Sequence, residues 1–146
     1  MPRSLVIGNG QVLAAFDAQL QLRDLYFPHV GMEDHTGYGN AHRIGIFVEG
    51  RGMKWFSDPS WHIEPQYRLD SLVGESKLHN DELGLELVAE DYVHPFYNIL
   101  IRNFRIRSTD GQEKKIRFYF HHNLFNEDLE SVMQVIKGHV LALSKA

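Results

Sequence analysis

A chain of 146 residues, 43% hydrophobic and 23% charged, has the size and composition of one folded domain with its own core and is too short for a two-domain enzyme. Its formal net charge of -4 and its scattered basic residues argue against nucleic acid as a partner. The absence of cysteine excludes disulfides, thiolate zinc sites and thiol nucleophiles.

The N-terminal segment "MPRSLVIGNGQVL" has only a short apolar run before its glycines. A secretory signal needs about 7–15 apolar residues in its central region, and a membrane span needs about 20. No segment reaches either length, so we expect a cytoplasmic chain with no membrane partner.

Three short strands are the first predicted elements. The segments "SLVI", "QVLAAFD" and "LQLRDLYF" alternate apolar and polar residues, and the turns "GNG" and "AQ" separate them. The third segment ends at Pro28, which lacks the N–H that a continuing strand needs. The pattern predicts an N-terminal antiparallel meander.

Three strand pairs are predicted next. "HRIGIFVEG" pairs with "MKWFS", "YRLDSLVGESKLHN" pairs with "LGLELVAEDYVH", and "YNILIRNFRIR" pairs with "KKIRFYFHHNLF" around the Asp-Gly turn of "STDGQE". In the last of these, Ile116, Phe118, Phe120 and Leu124 are predicted to share a buried face. "NEDLESVMQVIKG" fits either a helix or a strand, and this choice stays open.

Turn signals every 8–12 residues or so are typical of an all-β sandwich of antiparallel strands. We therefore predict an all-β, antiparallel β-sandwich, and a single domain over residues 1–146.

Histidines near the first loop raise the question of a metal site. His29, His35 and His42 are six and seven residues apart, around Glu33 and Asp34. A metal site on a strand would favour the closer spacing His-x-His, which the chain does not contain. We predict no metal and no cofactor.

The acidic residues do not predict a catalytic pair. Glycosidase carboxylates stand about 5–9.5 Å apart across a cleft, a geometry that neither the adjacent Glu33 and Asp34 nor the alternating acids of residues 82–90 indicate. Asp24 and Asp91 have apolar neighbours and are expected to be hydrogen-bonded structural carboxylates. The chain also lacks a Gly-x-Ser-x-Gly elbow and a dinucleotide fingerprint, so no catalytic residue is predicted.

Aromatic residues offer one binding hypothesis. Trp55 and Trp61, with Tyr26, Phe27 and Tyr38, could form a sugar-stacking platform. The competing interpretation is that they are ordinary members of half-buried sheets.

An ordered series of motifs resembles a known enzyme family. Asn9-Gly10, Phe16-Asp17, "DLYFP" at 24–28, "VGMEDH" at 30–35 and "HRIGIFVEG" at 42–50 resemble the start of glucoamylase-like enzymes of glycoside hydrolase family fifteen. "AEDYVHPFYNILIRNFRIRS" and "IRFYFHHNLF" extend the likeness more loosely over most of the chain.

The resemblance implies an N-terminal β-sandwich, or supersandwich, that precedes an (α/α)6 catalytic barrel. In that family both catalytic glutamates of the inverting hydrolysis lie in the barrel. This chain stops before any barrel, so we expect it to be inactive alone, to have the barrel as its partner, and to meet oligo- or polysaccharide only indirectly. The substrate of the parent enzyme, a starch-type glucan, a dextran-type glucan or trehalose, stays open.

The loop of residues 28–43 is the predicted functional segment. It is expected to pack against the barrel near its substrate, or else to form a self-contained corner. Its candidate interdomain or substrate-proximal residues are Glu33, His35, Tyr38, His42 and Arg43.

Two other classes of function compete with this one. An autonomous carbohydrate-binding module would use the aromatic residues, and a small β-barrel metalloenzyme would need converging imidazoles. A sandwich shorter than the family's usual one should also leave unpaired strand edges, so self-association is expected.

Overall fold

The computed structural model describes residues 2–37, 42–124, 131–136 and 139–144, and within them every regular element is a β-strand in an antiparallel pair. The strands are β1 (Leu5–Gly8), β2 (Leu13–Phe16), β3 (Leu22–Tyr26), β4 (Arg43–Val48), β5 (Gly52–Trp55), β6 (His62–Glu64), β7 (Gly74–Asn80), β8 (Leu85–Val93), β9 (Leu100–Ser108), β10 (Ile116–His121), β11 (Ser131–Ile136) and β12 (His139–Ser144). The predicted all-β antiparallel fold is confirmed. No helix in the described part of the chain is long and apolar enough to cross a membrane.

The first sheet has the order β1-β2-β3 and confirms the predicted meander. Its β2–β3 turn depends on Asp17, whose Oδ1 accepts hydrogen bonds from the backbone amides of Gln19 (2.9 Å) and Gln21 (3.0 Å). Leu20 adopts a positive φ of 55° in this turn. An aspartate that accepts from amides two and four residues later fixes a tight turn.

The second sheet has the order β10-β4-β5 and contains one departure from the sequence prediction. The β4–β5 hairpin is confirmed, but β10 pairs with β4 and not with β9. The predicted third hairpin, around "STDGQE", is therefore wrong.

Aromatic packing between sheets explains this difference. Phe118 and Phe120 on β10 lie 5.4 and 6.3 Å from the ring of Phe104 on β9, measured between ring centroids, so the two strands face each other across the core. The Asp-Gly segment does turn, with Gly111 at a φ of 70°. Asp110 binds Arg51 beside the β4–β5 hairpin, which holds the crossing segment against the second sheet.

The third sheet has the order β6-β7-β8-β9 and confirms the predicted β7–β8 pair. Residues of β8 alternate strictly between buried and half-buried positions. Such alternation places one face of the sheet on the core and the other toward solvent. On β10, Ile116, Phe118 and Phe120 share one face as predicted, and they are half-buried and pack against the core.

Buried residues from all three sheets form one hydrophobic core. Phe56, just after β5, packs edge-on against Phe104 of the third sheet. Two residues earlier on the same strand of the third sheet, Arg102 lies over the ring of Phe16, which belongs to the first sheet. The first and second sheets therefore both pack on the inner face of the third, as in a β-sandwich.

The sequence left open whether "NEDLESVMQVIKG" forms a helix or a strand, and its second half forms a strand. Residues 131–136 form β11, which pairs with β12 in a separate two-stranded sheet. Residues 125–130 and 137–138 lie outside the described residues.

Candidate functional site

The 28–43 loop folds back onto β3 through the carboxylate of Asp34. Its Oδ1 accepts hydrogen bonds from the amide of Leu25 (3.1 Å), the amide of Thr36 (3.0 Å) and the hydroxyl of Thr36 (2.8 Å). The carbonyl oxygen of Arg23 lies 3.0 Å from the same Thr36 hydroxyl and shares its single hydrogen with the carboxylate. One carboxylate therefore fixes the return of the loop to the strand that it left.

Two predicted site residues belong to this same corner. The amide of His35 donates to the carbonyl of Leu25 at 2.8 Å, and its ring Nε2 lies 2.7 Å from the carbonyl oxygen of Phe27. Glu33 receives a backbone hydrogen bond from Phe27 at 3.3 Å, and its side chain is exposed. The position of Asp34 nine residues after Leu25 gives no sequence signal for this role.

Arg43 and Tyr38 complete the predicted set. Arg43 begins β4 and is exposed, opposite His121 in the register with β10. Tyr38 lies outside the described residues, so its role stays a prediction. Among the described members of the set, Glu33 and Arg43 are exposed.

His42 is the remaining member, and it is buried, with 2% of its surface exposed. Its Nε2 lies 3.1 Å from the carbonyl oxygen of Thr36 and must donate, because a carbonyl only accepts. In the neutral ring Nδ1 is then a bare acceptor, and it has no hydrogen-bond partner.

A second histidine, His122, forms a pair with His42. Their ring centroids are 5.6 Å apart, and the Nδ1 of His122 is also buried without a partner. Burial, together with the nearby His42 and Arg102, lowers the pKa of His122 to about 4. Burial also lowers the pKa of His42, although its hydrogen bond to Thr36 opposes that effect. Both rings are therefore neutral at neutral pH.

The two tryptophans of the sugar-stacking hypothesis pack against neighbouring residues. Trp61 is only 8% exposed and packs edge-on against Phe56, with 5.3 Å between the ring centroids. Trp55 is half-buried and lies over Gly45, its partner on β4, where a Cβ would come within 2.7 Å of Trp55 Cε3. An aromatic ring that covers a glycine on a neighbouring strand fills the space left by the missing side chain and stabilises the strand pair. The interpretation as members of half-buried sheets fits both side chains better.

Exposed aromatic rings occur elsewhere, where the sequence prediction did not place them. Phe96 and Tyr97, between β8 and β9, are 87% and 63% exposed. The sequence signal for this exposure was the Pro-Phe-Tyr segment between two long strands. Aromatic residues in a loop are not buried by the alternating faces of a strand, so exposure could have been expected there.

The two carboxylates expected to be structural are hydrogen-bonded. Asp91 is fully buried and its Oδ1 accepts from Arg102 Nε at 2.5 Å, while Asp24 pairs with Arg3. Within the described ranges, no three His, Asp or Glu side chains converge as metal ligands.

No protein-family model, curated protein or solved structure matches the chain. What the geometry defines is an all-β domain of antiparallel sheets, with a carboxylate-organised corner, a neutral pair of the buried His42 and the half-buried His122, and an exposed aromatic loop.

Proposed function

We propose that this chain is a non-catalytic N-terminal sandwich domain of a glucoamylase-like glycoside hydrolase, and that it packs against an (α/α)6 catalytic barrel. The observation that carries the proposal is that the residues of the family resemblance hold turns and corners of the fold. Asn9 Oδ1 accepts from the amides of Gln11 and Val12 in the β1–β2 turn. Asp17 fixes the next turn, and Asp34 fixes the 28–43 corner.

These roles fit a scaffold better than a catalytic centre. A catalytic carboxylate needs free access to substrate, whereas Asp17 and Asp34 use their oxygens on backbone amides. Glu33 and Arg43 remain exposed at the corner. Opposite charges there could form charge-assisted hydrogen bonds with a partner domain.

Two measurements test the proposal. The purified chain is first assayed for hydrolysis of maltooligosaccharides, isomaltooligosaccharides and trehalose, and no turnover is expected. It is then mixed with the barrel of a glucoamylase-like enzyme produced without its own sandwich, and we expect co-elution in gel filtration and a higher melting temperature for the barrel.

Charge reversal locates the interface. Arg43→Glu should weaken barrel binding, while Lys77→Glu, an exposed change on β7, should leave it unchanged. Turnover by the purified chain, or the absence of any complex with the barrel, would overturn the proposal.

A further inference from the structure

An exposed aromatic loop connects β8 to β9 at residues 94–99. Phe96 is 87% exposed, which is as much as any large apolar side chain in the described part of the molecule, and Tyr97 beside it is 63% exposed. Placing large rings in water costs free energy, so an ordered loop that does so indicates a surface that binds something.

The loop has a fixed shape. His94 Nδ1 accepts hydrogen bonds from the amides of Phe96 (3.2 Å) and Tyr97 (3.1 Å), and the backbone amide of His94 donates to the carbonyl of Ile99 at 2.9 Å. The His94 ring also lies next to both aromatic rings, 6.2 Å from Phe96 and 4.8 Å from Tyr97 between centroids. The rings are therefore held in place before any ligand arrives, which reduces the entropy lost on binding.

The β1–β2 turn anchors the loop from a distant part of the sequence. Asn9 Nδ2 donates to the carbonyls of His94 (3.1 Å) and Tyr97 (3.3 Å), while its Oδ1 holds its own turn. Asn98 Nδ2 donates to Gln11 Oε1 at 2.9 Å. Amide side chains thus lie directly beside the exposed rings.

The chemistry of this surface selects the ligand class. Residues 94–99 and 9–12 contain no Asp, Glu, Lys or Arg, so the surface does not suit a phosphate backbone or another charged ligand. An aromatic ring has an electron-rich face that attracts weakly positive C–H groups, and a sugar ring presents such groups on its apolar face. Amides beside the ring can exchange hydrogen bonds with sugar hydroxyls.

We propose that the His94–Ile99 loop and the neighbouring Asn9–Gln11 turn form a binding surface for a neutral saccharide. Phe96 and Tyr97 stack on the sugar, and Asn98 and Gln11 bind its hydroxyls. This goes beyond the scaffold role, which does not require the sandwich itself to bind saccharide.

Direct binding tests this proposal. Maltopentaose, isomaltotetraose and cellopentaose are each titrated into the chain and followed by saturation-transfer NMR and calorimetry. We expect at least one to bind, and Phe96→Ala or Tyr97→Ala to weaken it by about tenfold, since loss of one stacking ring from a weak site typically has that effect.

A matched control is Leu69→Ala, because Leu69 is also 87% exposed but lies in a different loop. It should bind as the unmodified chain does. Asn9→Ala keeps both rings but removes the anchor, so it should weaken binding less than loss of a ring, with the β-sheet circular dichroism unchanged.

Three outcomes would overturn the proposal. These are no binding of any of the three saccharides at millimolar concentration, equal binding by Phe96→Ala, or capture of a proline-rich peptide by this loop in place of saccharide. None of them bears on the scaffold role, which depends on turnover and barrel binding.

Discussion

The pair of His42 and His122 should make the stability of this protein depend on pH mostly above the range in which carboxylates titrate. His122 has its pKa lowered to about 4 by burial, from an ordinary value of 6.5. In the unfolded chain it takes up a proton below pH 6.5, and in the folded chain it does not. Stability from this residue is therefore fully present above pH 6.5 and is lost as the pH falls toward 4.

The size of the effect follows from the two pKa values. When the pH falls from 7.5 to 4.5, His122 alone should lower the free energy of unfolding by about 2.5 kcal/mol. This corresponds to a drop in melting temperature of roughly 5–10 °C for a domain of this size. His42, whose pKa is also lowered by burial, acts in the same direction.

The assay is urea unfolding, followed by fluorescence, at several pH values from 4.5 to 7.5. His122→Phe cannot take up a proton, so its stability should change by about 2.5 kcal/mol less over that range. His121→Gln removes the adjacent exposed histidine and should keep the full pH dependence. If His122→Phe keeps the pH dependence of the unmodified chain, the reasoning from buried neutral imidazoles is wrong.

Four further predictions concern packing, the corner and the strand edges. Asp91→Ala should lower the free energy of unfolding by roughly 3–5 kcal/mol in urea titrations, because the mostly buried Arg102 then lacks its counter-charge. A loss below about 1 kcal/mol would contradict the importance of this ion pair. Gly45→Ala should lower the free energy of unfolding by roughly 1–3 kcal/mol, because the new Cβ collides with the side chains of Met53 and Trp55. The near-ultraviolet circular dichroism of Trp55 should change as well. An unchanged spectrum would argue against that contact. Asp34→Ala should lower the free energy of unfolding by roughly 1–3 kcal/mol and speed proteolysis within residues 28–43. Asp34→Asn keeps an acceptor oxygen, so its effects should be smaller. Equal digestion rates for the two variants and the unmodified chain would show that Asp34 does not hold this corner. Because β9 is an edge strand of the third sheet in the described residues, we expect the chain to associate as its concentration rises in sedimentation velocity. Ile106→Lys, which places a charge on this edge, should reduce the association. A monomer at every concentration would exclude self-association through this edge.

The strands of this protein were largely predictable from sequence because their signals are local. Alternation in "LGLELVAEDYVH" placed β8, and the glycines of "EGRG" placed the β4–β5 hairpin. Pro28 marked the end of the third strand, which stops at Tyr26. Each of these signals depends on residues within a few positions of one another.

The candidate site was only partly predictable. The sequence predicted that the 28–43 loop either packs against a barrel or forms a self-contained corner, and in the described part of this loop Asp34 and Thr36 bind back to β3. Its organising residue, Asp34, was not identified, because a carboxylate that binds an amide nine residues away has no fixed sequence spacing. The partner of His42 was missed for the same reason, since His122 is eighty residues later in the chain.

By itself, then, the sequence determined the approximate positions of most strands and the apolar faces of β8 and β10, but it did not predict β6 or β12. Tertiary structure alone decided that β10 pairs with β4, that Trp61 is buried and that Phe96 and Tyr97 remain in water. The physical reason is that pairing and burial depend on which apolar faces meet. Phe104 and Phe118 face each other across two sheets, with 5.4 Å between their ring centroids, and this contact removes apolar surface from water.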